Sequence, residues 1–194
     1  MQTAHIISDL ILAVVGIFVF FRFLNRLNLH DTVLWEAFVL SAVLAAVFGA
    51  AGFAGFERAT FISHFFQSLA AITGGVCLAA AAIGLVTNTD YSNIACYSIL
   101  TVGFLLFVVS EVFGRTEVAK WVPLVSMAVV ALAAIYGLVK GKYLAGSWLL
   151  AAVAFFAMAQ FRGQIFGTGE STVDVFHILI AGGIFSLGLA TAKQ

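Results

Sequence analysis

Five ionisable side chains stand within or beside apolar stretches of this sequence, and their types could move protons or bind a metal ion. They are Asp9, His64, Glu111, Asp174 and His177. An ionisable group at the centre of a membrane helix costs roughly 2.5–3.5 kcal/mol on insertion scales, so such groups usually serve a function. Imidazoles and carboxylates are the ligands of catalytic zinc, which lowers the pKa of a bound water and polarises a carbonyl.

The spacing of these residues suggests how they would act together. His64 precedes Gln67 by three positions, and Asp174 precedes His177 by three. Residues three apart share one face of a helix, so each pair can face the same cavity. We therefore predict His64, Asp174 and His177 as ligands of a zinc ion. Asp9 or Glu111 would be the catalytic group that transfers a proton.

The elements that must position these residues are predicted to be membrane-spanning helices. The sequence is 63% hydrophobic and 9% charged, with a mean hydropathy of +1.12. Apolar stretches of about 17–25 residues can cross a hydrocarbon core as helices. Seven such stretches predict an all-α fold, a polytopic seven-transmembrane-helix bundle that forms a single domain over residues 1–194. The approximate helices are 6–24, 33–55, 62–86, 94–113, 121–139, 144–161 and 172–191.

Alternating crossings bring the five ionisable residues towards one side. Helices one, three, five and seven begin on the side of the N-terminus, here called the N-terminal face, and helices two, four and six end there. Arg22 and Arg26 directly follow helix one, which predicts an outside N-terminus and a cytoplasmic C-terminus in a plasma or inner membrane. The formal net charge is zero and no long basic run occurs, so we expect no nucleic-acid partner.

Several of these residues also have structural interpretations. Asp174 follows Ser171 by three positions, the spacing of a capping box at a helix start. His64 and Glu111 could reach the lipid headgroups, and Glu111 could pair with Arg115 one helical turn away. Under this interpretation the polar residues stabilise helix ends and carry no chemistry.

One other cofactor and one other function stay open from the sequence. His64 and His177 could be the axial ligands of a b-type haem. Small residues also recur at four-residue spacing, as such residues do where membrane helices pack closely; they are Ala42, Ala46, Ala50 and Ala54, then Ala71, Gly75 and Ala79, then Gly182, Ser186 and Ala190. These stripes fit a non-catalytic structural or accessory subunit that packs against itself or another membrane protein. We also expect Pro123 in the first turn of helix five, where its missing N–H does no harm.

The last predicted helix resembles that of a known family. The segment from Val173 to Ala181 reads Val-Asp-Val-Phe-His-Ile-Leu-Ile-Ala and is similar to the last helix of the CREST superfamily, which includes the alkaline ceramidases and the progestin and adipoQ receptors. The resemblance implies a seven-helix intramembrane zinc hydrolase whose lipid-like substrate enters from the bilayer. Thr60 and His64 match an early Ser-x-x-x-His pattern, and His177 matches the second histidine of a His-x-x-x-His pair. Val173 stands at the first position of that pair, so Asp174 or Glu111 would replace a histidine ligand.

Overall fold

The computed structural model describes residues 2–167, 169 and 171–192, and its regular secondary structure over these residues is helical. Seven helices are long and apolar enough to cross a membrane. This finding confirms the predicted all-α class and the seven apolar helices. They are α1 Gln2–Arg22, α2 Leu29–Phe53, α3 Glu57–Thr87, α4 Asn93–Glu111, α5 Thr116–Val139, α6 Tyr143–Gln160 and α7 Ser171–Ala190. A 3₁₀ turn Leu24–Arg26 and a short helix Arg162–Phe166 lie in the connections.

Four helices begin at least one helical turn earlier than the hydropathy of the sequence predicts. These are α1, α2, α3 and α5, and each begins with a polar turn. The first turn contains Asp31 in α2, Glu57 in α3 and Glu117 in α5. Negative charge is favourable at a helix N-terminus, although it lowers the local hydropathy. The prediction for Pro123 is therefore wrong, because Pro123 lies inside α5. Proline has no N–H, so the carbonyl of Ala119 lacks the donor that a helix normally supplies four residues later.

Six of the seven helices form a closed ring. Contacts run from α1 to α2, α3, α5, α6 and α7 in turn, and α7 packs back against α1. The fourth helix packs mainly against α3 and α5. Because α1 and α7 both begin at the N-terminal face, the first and last helices of the ring are parallel neighbours. The interior of this ring is the place where polar side chains can be enclosed.

Small residues allow the ring helices to approach one another closely. Ala42, Ala46 and Ala50 of α2 are buried, as the four-residue stripe predicts. A Cβ atom on Gly74 of α3 would lie only 2.8 Å from the Cα atom of Phe38 in α2. Such a distance is too short for any side chain at residue 74, so the two backbones touch there. Van der Waals contact of this kind is the usual basis of helix association in membranes.

A π turn interrupts the third helix at mid-length. It covers Ala70–Gly74 and separates the regular α-helical segments Glu57–Leu69 and Gly75–Thr87. A π turn inserts an extra residue into the helix, and such turns are frequent at functional sites. Ala70, Ala71 and Ile72 form part of a cavity wall. The irregular segment of α3 therefore faces the interior of the ring.

Candidate functional site: a polar cluster beside an apolar cavity

A polar cluster connects the first turns of α1 and α7 at the N-terminal face. The hydroxyl of Ser8 donates to Oδ1 of Asp174 over 2.9 Å. Nδ1 of His5 lies 2.7 Å from the same carboxylate oxygen. His5 and Ser8 are three residues apart on α1 and so share one face of it. Asp174 thus accepts from two side chains of α1 and ties the parallel helices together.

The cluster continues inwards through His177 to Asp9. Nδ1 of His177 lies 3.1 Å from Oγ of Ser8 and 3.2 Å from Oδ1 of Asp9. The hydrogen bond of this nitrogen is with Ser8, and the carboxylate of Asp9 lies beside it. Hydrogen bonds therefore connect Asp174, Ser8 and His177, and Asp9 lies next to His177 at the inner end of the cluster.

The carboxylate of Asp9 is enclosed between α1, α2 and His177. Its residue is 2% exposed, and Oδ2 has no hydrogen-bond partner among the described residues. Gly49 of α2 makes room for it, since a Cβ atom there would lie 2.7 Å from Oδ2. A buried acceptor without a partner costs about 1–3 kcal/mol. Asp9 therefore carries an unsatisfied oxygen in the contact between α1 and α2.

A cavity of about 380 Å³ lies inside the ring against Asp9 and His177. Its volume falls within the range of about 300–1,000 Å³ that is typical of small-molecule sites. Apolar side chains from every helix except α4 form most of its wall. The polar residues of the wall are Asp9, Gln67, Ser68, Ser126, Gln160 and His177.

The mouth of the cavity lies at the N-terminal face. Gln67, Ala119 and Gln160 line the cavity and are exposed. They stand in the first half of α3, at the start of α5 and at the end of α6, which all lie towards this side of the ring. Asp9 and His177 are buried. A molecule that enters the ring would therefore pass the two glutamines before it meets the polar cluster.

The structure brings three of the five predicted residues together, namely Asp9, Asp174 and His177. It leaves His64 and Glu111 exposed and away from the cavity wall. The direction of His64 has a local cause. The preceding residue, Ser63, faces α2 and donates to the carbonyl of Ala45 over 2.7 Å. Adjacent helical residues point about 100° apart, so His64 points away from that contact.

Sequence reasoning missed three residues of the site: His5, Ser8 and Gly49. His5 supplies the imidazole that His64 was expected to supply. It precedes the first apolar stretch, but α1 begins at Gln2 and includes it. The signal that could have found it is helical spacing, because His5, Ser8 and Asp9 stand at i, i+3 and i+4 and share one face. No comparable sequence pattern marks Gly49, whose role depends on how α1 and α2 pack.

The geometry of the cluster limits the chemistry it can perform. In a serine-protease-type triad, the serine and the carboxylate contact opposite nitrogens of the histidine ring. Here Ser8 and Asp9 both contact Nδ1 of His177, so the arrangement is not such a triad. What it offers is a carboxylate oxygen and an imidazole nitrogen 3.2 Å apart beside a cavity. Such a pair can hold a polar group and exchange a proton with it.

The predicted metal ligands do not form a complete set in this structure. Catalytic zinc usually has three protein ligands. Within residues 2–167, 169 and 171–192, no group of three or more His, Cys, Asp or Glu side chains is arranged to hold a metal ion. His64, which the zinc and haem hypotheses both use, lies outside the cavity wall. Zinc and haem stay predictions, and no step of the chemistry below depends on either.

Comparison with protein-family models, with curated proteins and with solved structures finds no match to this chain. The resemblance of α7 to the CREST superfamily therefore stays a prediction. Any functional conclusion depends on the polar cluster and the cavity themselves.

Proposed function

We propose that this is an integral membrane protein that binds a lipid-like small molecule within its ring of helices. The apolar part of the ligand lies in the cavity, and its polar part meets Asp9 and His177. The observation that carries this proposal is a cavity of about 380 Å³ whose largely apolar wall includes the buried residues Asp9 and His177. A mostly apolar cavity with a few polar groups in its wall is the usual form of a small-molecule site.

The membrane location is supported by the outer surface as well as by the helices. Large apolar side chains point away from the ring along its length; Val14 of α1 is 65% exposed, Ile94 of α4 is 81% exposed and Leu132 of α5 is 66% exposed. Lipid is a favourable environment for such side chains, and helices satisfy their own backbone groups within it. The protein also has seven helices of sufficient length and hydropathy.

We expect the protein to stay in the membrane after an alkaline carbonate wash and to have its N-terminal face outside. Thr116 and Thr89 are exposed residues at opposite ends of the helices. A membrane-impermeant maleimide applied to intact cells should label Thr116→Cys and spare Thr89→Cys. The two native cysteines are free and buried, so they should give a low background. Labelling of Thr89→Cys alone would reverse the orientation, and release by carbonate would contradict membrane insertion.

The ligand is expected to be lipid-like because of the wall chemistry. Most of the lining is apolar and includes Phe38, Ile72, Met127 and Phe156. Burial of apolar surface stabilises a bound alkyl chain by about 25 cal/mol per Å². Asp9 and His177 then offer acid–base groups to the polar end. Hydrolysis of the ligand, as the sequence suggests, is a further step that needs an attacking water. The accessory-subunit alternative requires no ligand, so a binding measurement separates the two.

Filling the cavity should weaken binding. Val153 of α6 is partly buried and lines the cavity, whereas its neighbour Ala154 is exposed. Val153→Phe places a ring into the space, and Ala154→Phe adds the same ring on the outer surface. With radiolabelled dodecanol and purified protein in phosphatidylcholine nanodiscs, we expect at least about tenfold weaker binding to Val153→Phe, a difference of about 1.4 kcal/mol.

The control variant Ala154→Phe should bind dodecanol as the unmodified protein does. Circular dichroism checks that both variants keep their helices. Equal binding to the two variants would contradict the cavity as the site. Retention no greater than that of protein-free nanodiscs would contradict ligand binding and favour the accessory subunit.

A further inference from the structure

A second cavity, of about 240 Å³, lies at the face opposite the polar cluster. Its wall includes Asp31 and Trp35 near the start of α2, Gly84 near the end of α3, and residues 88–90 of the turn that follows α3. α2 begins and α3 ends on the side where α1 ends, away from the N-terminal face. This cavity is therefore separate from the one inside the ring, and what it binds does not depend on the lipid-like ligand.

Two acidic residues line the second cavity without a cation between them. Asp31 is half-buried and Asp90 is exposed, and neither forms an ion pair with any residue that the structure describes. The amine of Lys142 is close by, but it donates to the carbonyl of Leu85 over 2.8 Å and to the side-chain oxygen of Asn88. Like charges at one cavity repel each other, so a bound cation would be favourable there.

Trp35 adds a hydrogen-bond donor to the same wall. The residue is 2% exposed and lines the cavity. Within the described part of the chain its indole N–H has no acceptor, whereas the indole of Trp121 donates to Glu117 over 3.0 Å. Among these residues, the side-chain atoms that are both unpartnered and fully enclosed are Oδ2 of Asp9 and Oγ1 of Thr73. The indole nitrogen of Trp35 therefore keeps contact with open space, and the space beside it is the second cavity.

We propose that the second cavity binds a small ammonium group with an oxygen atom close to it, as in free ethanolamine or in the head group of phosphatidylethanolamine. A carboxylate only accepts hydrogen bonds, which an ammonium group donates, and an indole only donates, which an oxygen atom accepts. A bare metal ion would leave the indole without an acceptor. The volume is below the range of about 300–1,000 Å³ that is typical of drug-sized ligands, so it suits a head group rather than a whole lipid.

Three small probes of similar size test the two halves of this chemistry. Ethanolamine has both groups, ethylamine lacks the oxygen, and ethylene glycol lacks the charge; each would compete with radiolabelled ethanolamine for the unmodified protein in phosphatidylcholine nanodiscs. We expect ethylamine to bind about tenfold more weakly than ethanolamine, the effect of one hydrogen bond. Ethylene glycol should bind at least about 100-fold more weakly, because hydrogen bonds between charged groups are about twice as strong.

The source of the ammonium group can be determined in the same assay. Phosphatidylethanolamine added to the nanodiscs should lower the binding of labelled ethanolamine if the natural ligand is a lipid head group. The binding should stay unchanged if the natural ligand is a free amine.

Two variants then assign the effect to single residues. Trp35→Phe removes the N–H donor, so ethanolamine should bind about tenfold more weakly while ethylamine is unaffected. Asp31→Asn removes one negative charge and should weaken both amines about tenfold. Trp121→Phe is the matched control, because its indole bonds to Glu117 at the other face, and it should change nothing.

Several results would overturn the inference. They are retention of ethanolamine no greater than that of protein-free nanodiscs, equal binding of ethanolamine and ethylamine, equal binding of ethanolamine and ethylene glycol, and binding that survives Asp31→Asn. Circular dichroism checks that the variants keep their helices, and the ranking of the three probes needs no variant. None of these results changes the expectation for dodecanol, because its cavity lies at the other face.

Discussion

Asp174→Ala should lower the free energy of unfolding by about 2–3 kcal/mol, because it removes a carboxylate that accepts two hydrogen bonds from α1 in a largely enclosed contact with α7. Ser8 donates to its Oδ1 over 2.9 Å, and His5 approaches the same oxygen to 2.7 Å. The Asp174 side chain is 25% exposed, and that of His5 is 11% exposed, so water can replace only part of what is lost. Titration of the purified protein with sodium dodecyl sulfate, followed by circular dichroism, would measure the change.

Two further variants separate the hydrogen bonds from general effects of mutation. Asp174→Asn keeps an oxygen that can accept from Ser8, so it should cost less than Asp174→Ala. Asp90→Ala removes an exposed carboxylate that accepts from Asn28 over 3.3 Å, and exposed polar contacts contribute about 0–1 kcal/mol. Equal unfolding energies for Asp174→Ala and Asp90→Ala would show that the α1–α7 contact does not stabilise the ring.

Gly49→Ala should destabilise the protein by about 1–3 kcal/mol, the typical cost of adding atoms to a well-packed interior. The new methyl group would lie 2.7 Å from Oδ2 and 3.2 Å from Cγ of Asp9. The carboxylate must then move, which strains its contact with His177 or separates α1 from α2. The same unfolding titration measures the loss, and dodecanol binding measures whether the displaced carboxylate still serves the cavity.

A double-mutant cycle tests the stated cause of that loss. In an Asp9→Ala background the clashing carboxylate is absent, so Gly49→Ala should become neutral or stabilising, since alanine favours a helix by about 1 kcal/mol over glycine. Gly163→Ala is the control, because nothing lies within 4 Å of a Cβ atom there. Strictly additive losses from Asp9→Ala and Gly49→Ala would mean that the two residues do not interact.

The sequence predicts how far along its helix a residue lies much better than it predicts the direction in which its side chain points. Hydropathy locates all seven helices, and the alternation of their directions correctly brings Asp9, Asp174 and His177 to one region. It does not tell which way a residue points, and this is why His64 was expected inside and is exposed. Only the packing of Ser63 against Ala45 fixes that rotation.

Two other features of the site lie beyond hydropathy for different reasons. The polar first turn of α1 hides His5 from any search for apolar stretches, although that turn is helical. The role of Gly49 arises from a contact between helices, where the missing side chain leaves room for a carboxylate of the neighbouring helix. The composition of the sequence and the spacing of its residues do not predict this contact between Gly49 and Asp9.

The closure of the ring by its first and last helices has a consequence for biosynthesis. The contact between His5 and Asp174 joins residues 169 positions apart, so α1 emerges from the ribosome long before its partner exists. Until α7 arrives, His5, Ser8 and Asp9 lack the side chains that satisfy them in the finished protein, and the cavity has no complete wall. Nascent chains that stop before α7 should therefore expose a polar stripe on α1, a feature by which membrane quality control could distinguish unfinished molecules from finished ones.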